Sequence, residues 1–292
     1  MYELKKQKKA IFFVKAMKRL KKTKKKALDR DVRELMIKTP AGIVRTLCFG
    51  LENKQKEPVL FDLHGGGFVM HTADVDINIC RYFRKNCGCK VISIDYAKAP
   101  EHPYPQAMNE VYEVVKYFTA HAKEYGIDTE RMCIGGHSAG GNLTAVTCLR
   151  SLKEKEFSFR GQILDYPPLD LSINPFDKPC PEGAIPPKIA AAFDACYLPD
   201  SSSEECPYVS PVYSKKEDMI GLPDALVIAA GHDSLHDEAV HYYNLLCEAE
   251  VPAQLLEYPD SAHAFTMKES PDSADALQKM AQFLKTCFTS NE

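Results

Sequence analysis

Several features that would place a chain in other classes are missing from this one. No apolar run approaches the roughly 18 uninterrupted residues of a membrane-spanning helix. A secretory leader needs an apolar stretch of ~7–15 residues, but the run from Ala10 to Val14 is broken by Lys15. No export signal is read. The eleven cysteines form no C-x-x-C pair, and Cys87-Gly88-Cys89 is too tightly spaced for a common zinc knuckle. An odd number of thiols without export points to a reduced, cytoplasmic setting. Internal repeats are absent, and low complexity is confined to the lysine-rich start.

What is present describes a globular protein. With 292 residues, 45% of them hydrophobic and 26% charged, the chain can bury one large core and carry an insertion. A disulfide-stapled mini-protein and a disordered chain are both excluded. The net charge of −3 conceals an asymmetry: residues 1–38 hold 15 Lys/Arg against 4 Asp/Glu, so a basic arm precedes an acidic body. Ala10, Phe13, Val14, Met17 and Leu20 recur at helical spacing among those lysines, which predicts an amphipathic helix with a cationic outer face. Packing on its own domain is the first expectation for this arm. Weak contact with an anionic membrane surface or polyanion is the alternative, and no nucleic-acid partner is expected.

Beyond the arm, short β-branched runs alternate with helical patterns. Gly42–Phe49 and Val59–His64, separated by a polar turn, read as paired strands. Further strands are expected at 91–95, 132–135, 162–165, 225–230 and 254–258, with helices near 74–87, 104–120, 139–152 and 237–249 and a last helix after 258. Such alternation predicts an α/β fold, a mostly parallel central sheet with helices on both faces. The stretch between Tyr166 and Leu222 breaks the rhythm. It is rich in Pro, Ser and Asp, with one short helix expected around Lys188–Tyr197, and reads as an insertion forming a lid or pocket wall.

Chemistry concentrates in three places. Gly136-His137-Ser138-Ala139-Gly140 is a G-x-S-x-G following a strand and opening a helix, the context in which a tight turn projects a serine hydroxyl out of the sheet. Ser138 is the candidate nucleophile. A serine hydroxyl needs a base, and the base needs an anionic partner to hold its tautomer. Asp233 follows the strand 225–230 and His263 the strand 254–258, in the order serine, acid, histidine. The base must be neutral to act, so one ionisation in the histidine range is expected in the pH–rate profile. The third place is His64-Gly65-Gly66-Gly67-Phe68, where glycine amides can approach a developing oxyanion. Amides of Gly66, Gly67 and Ala139 are assigned to that task. No Lys-Ser/Thr follows the glycines, so a phosphate-binding P-loop is disfavoured. His64 is expected to order the loop, and Phe68 to wall the pocket.

HGGGF, the segment Asp95-Tyr96-Ala97-Lys98-Ala99-Pro100-Glu101-His102-Pro103-Tyr104-Pro105, GHSAGG, GHDSLHDE and HAF occur in this order. Together they resemble the hormone-sensitive lipase family of α/β-hydrolases, which includes bacterial acetyl esterases and carboxylesterases, over roughly residues 55–289. The resemblance implies an α/β-hydrolase core and hydrolysis of short acyl, acetyl-like esters by a serine carboxylesterase, with no cofactor and no metal. It also implies a small helical cap, hence an expected division into an N-terminal cap segment (1–40), core (41–165), cap insertion (166–222) and core (223–292). Three positions depart from the pattern: His137 stands where the family commonly has Asp, Ala97 replaces an Arg and Lys98 replaces a Leu. Competing readings are a metal site at His232 and His236, an amide-directed serine hydrolase, and a hydrolase fold that binds a ligand without turnover.

Overall fold

Strands buried on both faces need helices above and below them, and this chain supplies both. The computed structural model describes residues 2–20, 28–198 and 200–289. Eight strands form one sheet: β1 (Val32–Thr39), β2 (Gly42–Phe49), β3 (Glu57–Leu63), β4 (Lys90–Asp95), β5 (Ile127–His137), β6 (Gly161–Asp165), β7 (Asp224–His232) and β8 (Ala253–Ala262). The helices are α1 (Tyr2–Leu20), α2 (Ile77–Cys87), α3 (Gln106–Ala120), the one-turn α4 (Ala122–Tyr125), α5 (Ala139–Glu154), α6 (Pro187–Tyr197), the one-turn α7 (Lys216–Met219), α8 (His236–Glu248) and α9 (Pro271–Thr289). The strand order is β1-β2-β4-β3-β5-β6-β7-β8, antiparallel from β1 through β4 and parallel from there on. This is the α/β-hydrolase fold.

Two expectations are corrected here. The runs 42–49 and 59–63 do not pair with each other: β4 lies between β2 and β3. β3 is buried from Pro58 to Leu63 and apolar there except for Asp62, so it takes a central place with parallel partners on both edges, whereas β2, where Gly42, Ile43 and Arg45 are not buried, stays near the rim. Residues 32–39, assigned to the N-terminal segment, are the edge strand β1, paired from Val32↔Phe49 to Thr39↔Gly42.

One face of the sheet packs on α3, α5 and α8 through residues such as Val111, Leu143, Val146 and Tyr242. The other packs on α2 and α9 through Phe83, Met280 and Leu284. Within the insertion, Pro187 starts α6, where a missing N–H costs nothing. The arm packs against that helix: α1 meets α6, Val14 is buried, and Lys18 donates to the Ala99 carbonyl and to Glu101. Phe12 points outward. The side chain of Leu20 and residues 21–27, part of the basic arm, lie outside the described residues. Among the described residues no helix is long and apolar enough to cross a membrane.

Candidate active site

The strand-to-helix turn at Ser138 is sharp because the backbone there is unusual. Ser138 has φ +52° and ψ −120°, a conformation costing on the order of 1–3 kcal/mol unless its surroundings impose it. They do impose it. The Ser138 N–H donates to the Asp165 carbonyl at 2.8 Å, and its carbonyl accepts the N–H of Gly141 (2.8 Å) and Asn142 (3.2 Å). The first turn of α5 sits so close to the end of β3 that a Cβ on Gly140 would lie 1.9 Å from the Leu63 carbonyl oxygen. Only glycine fits there.

Asp233 sits between β7 and α8, and His263 directly after β8, so all three candidate residues meet at the carboxyl ends of parallel strands. His263 Nδ1 lies 2.6 Å from Asp233 Oδ2, and His263 Nε2 lies 3.0 Å from Ser138 Oγ. A carboxylate accepts only, so Nδ1 carries the proton and Nε2 presents its lone pair to the serine hydroxyl. Asp233 Oδ1 accepts the Leu235 N–H. Asp233 is buried, and Ser138 is 7% exposed. The Tyr166 ring meets the His263 imidazole edge-on at 5.0 Å.

The glycine loop runs beside the serine: a Cβ on Gly65 would stand 3.5 Å from Ser138 Cβ. Its turn is closed by the N–H groups of Val69 and Met70 donating to the Gly66 carbonyl. His64 is fully buried and donates from Nδ1 to the Gly65 carbonyl at 2.7 Å, while its ring stacks on Tyr96, whose hydroxyl donates to the His64 carbonyl. Burial, then the charge of Lys98, holds the His64 imidazole well below the usual histidine range, so it stays neutral. The segment behind the loop ties in through the Ala99 N–H, which donates to the Phe68 carbonyl. Helix α6 presses on the loop from the other side. Phe68 stacks on Tyr197 at 3.8 Å, and the Phe193 ring occupies the space that a Gly67 Cβ would need, 2.1 Å away. Ser138, Gly67, Phe68, Leu171, Ile185 and Phe193 line a cavity of about 50 Å³.

The structure also assembles a group that motif reading missed. Asp62, Asp76 and His137 are buried with one candidate ligand atom each, all within 4.8 Å of one another, and Asp165 Oδ2 lies 2.6 Å from His137 Nδ1. These are the residues whose spacing could hold a cation among the described residues. A carboxylate inside the otherwise apolar run Val59-Leu60-Phe61-Asp62-Leu63 was the available signal. His236, by contrast, faces the carboxylates of Asp237 and Glu257 from its two ring nitrogens, and His232 is exposed at the end of β7.

A model of the alpha/beta hydrolase fold matches residues 60–267. Esterase LipI of Mycobacterium tuberculosis is 30% identical over 238 residues, covering 80% of this chain and 74% of that one. An acetyl esterase of Salmonella schwarzengrund is 28% identical over 265 residues, covering 88% and 80% respectively. In structure the chain is similar to a hyperthermophilic esterase from Pyrobaculum calidifontis, with a TM-score of 0.80, 26% identity and coverage of 99% of this chain and 93% of that one. A thermostable esterase from Pseudomonas putida superposes with a TM-score of 0.83 at 25% identity, covering 98% and 91%. The chain belongs to the hormone-sensitive lipase family of α/β-hydrolases. By class it is a carboxylic ester hydrolase.

Proposed function

We propose that the chain is a serine carboxylesterase acting on short-chain acyl esters, with Ser138, His263 and Asp233 as its catalytic triad. The observation that carries this reading is the pair of contacts at His263, 3.0 Å to Ser138 Oγ and 2.6 Å to Asp233 Oδ2, at the edge of a small apolar cavity. His263 takes the hydroxyl proton as Ser138 Oγ attacks the ester carbonyl, and Asp233 stabilises the imidazolium that results. The carbonyl oxygen becomes an oxyanion, to which the amides of Gly66, Gly67 and Ala139 donate. Collapse expels the alcohol, which leaves with the proton from His263. Water, deprotonated by the same histidine, then releases the acid from the acyl-enzyme.

Acyl length is set by the walls of the site. Phe68, Leu171, Ile185 and Phe193 enclose the space beside Ser138 that an acyl chain must enter, and bulky apolar walls there favour short chains. Helix α1 and residues 166–222 act together as the cap: Phe193 and Tyr197 bring α6 onto the glycine loop, and α1 lies against α6. The acetyl esterase name of a relative points to the same substrate class. Hydrolysis of p-nitrophenyl esters from acetate to palmitate by the wild type and Ser138→Ala tests this. The expected result is turnover that falls steeply beyond about four carbons, resists EDTA and is abolished in the variant with its melting temperature unchanged. Retained activity in folded Ser138→Ala would remove Ser138 from the mechanism, and a folded wild type that cleaves none of the esters would redirect the site to amides or to binding.

A further inference from the structure

Beneath the candidate nucleophile, on residues the triad does not use, four ionisable side chains share a buried space. Asp62 on β3, Asp76 in the short helical turn before α2, His137 on β5 and Asp165 on β6 are each 4% exposed or less. His137 Nδ1 is 2.6 Å from Asp165 Oδ2, and its Nε2 is 3.9 Å from Asp62 Oδ1. Asp62 Oδ2 also accepts from Ser93 Oγ (2.7 Å) and Cys80 Sγ (3.4 Å). Among the described residues neither oxygen of Asp76 has a hydrogen-bond partner. Asp165 Oδ2 accepts in addition from Thr266 Oγ1 at 2.7 Å, and Thr266 Oγ1 is bonded at 2.7 Å to the Tyr166 hydroxyl. Thr266 lies three residues past His263, and Tyr166 packs against the His263 ring.

Three ionised carboxylates cannot share such a space unaided, because desolvation costs several kcal/mol per ion. His137 is the one basic side chain among the four. We propose that His137 is a positioning residue for ester hydrolysis: its Nδ1 bond orients Asp165 under Ser138, and through Asp165 and Thr266 it fixes the loop carrying His263. This rests on the triad reading above. Burial opposes the charge on His137, but the Asp165 bond and the charges of Asp76, Asp165 and Asp62 outweigh it, so the surroundings favour the protonated ring that donates to Asp165.

The test measures kcat and KM for p-nitrophenyl acetate at pH 7.5 in the wild type, His137→Gln, Thr266→Val and Ser138→Ala, with melting temperatures and metal content. His137→Gln should lower kcat roughly 10- to 100-fold, the scale of an ~1 Å misplacement, while KM stays within about twofold of wild type. Thr266→Val leaves the His137–Asp165 bond but cuts the link to the His263 loop, so kcat drops roughly tenfold with KM again little changed; this variant carries the test if His137→Gln does not fold. Wild-type kcat in folded His137→Gln or in folded Thr266→Val, or a loss confined to KM, would overturn the proposal. So would one equivalent of a tightly bound divalent metal in the purified protein, which would assign the cluster to that ion. Activity surviving in Ser138→Ala overturns the triad reading instead, so the two failures are separable.

Discussion

Replacing Gly67 with alanine should damage catalysis through a collision that can be undone from the cap. The backbone at Gly67 has φ +59°, which costs an alanine roughly 1–2 kcal/mol. The larger effect is steric. The new Cβ would lie 2.1 Å from Phe193 Cδ2 and 2.7 Å from Cε2, whereas carbon atoms pack at ~3.5–4.0 Å, so ring and loop must separate by roughly 1.5 Å. Phe193 belongs to α6, pinned by the Tyr197–Phe68 stack and by the Tyr104 N–H donating to the Tyr197 carbonyl. The loop therefore yields and takes the Gly67 amide out of line. Losing one oxyanion donor, the role proposed above for this amide, costs about 2.7–4 kcal/mol, or 10²–10³ in kcat. Truncating Phe193 removes the obstruction: Gly67→Ala/Phe193→Ala should recover at least tenfold over Gly67→Ala, a coupling of ~1.4 kcal/mol or more. Steady-state kinetics on p-nitrophenyl acetate read both steps, with circular dichroism to verify folding. The reasoning is refuted if Gly67→Ala keeps kcat within twofold of wild type, or if the double variant is no faster than the single one.

Two further variants probe other parts of the molecule. Asp233→Asn removes the acceptor at His263 Nδ1 and allows the wrong tautomer, so kcat should fall by about 10⁴ with KM little changed; a loss below tenfold would show that another group orients the base. Lys90 is fully buried on β4 and donates to Glu57 and to the carbonyls of Gly50, Asn53 and Gln55. Lys90→Met should cost about 3 kcal/mol or more in urea unfolding while leaving kcat of the folded fraction intact, and a stability change under 1 kcal/mol would contradict it.

Local features of this chain were legible wherever backbone and chemistry coincide within a few residues. The turn at Ser138 needs small neighbours on both sides, and GHSAGG displays them. Asp233 and His263 could be picked out because each follows a recognisable strand, and parallel strands deliver their carboxyl-end residues to one edge. Strand partners were harder. Nothing between residues 50 and 57 announces that β3 avoids β2, because that choice depends on β4 and β5 claiming both its edges. β1 was hidden by its charges: Arg33, Glu34 and Lys38 continue the polar character of the arm, although Val32 and Ile37 are buried.

Sequence alone determined the alternation of strands and helices, the chain order of the candidate site residues and the glycine loop, since each is written in contiguous residues or in spacings that survive without tertiary contacts. Only the tertiary structure decided what surrounds them. Parallel register sets His137 opposite Asp165, and the turn before α2 brings Asp76 to within 4.8 Å of both His137 and Asp62. Helix α6, more than a hundred residues away in the chain, lands on Gly67 and Phe68 and defines the cavity. Side chains that meet across such separations share no local pattern, so their contacts exist only once the chain has closed on itself.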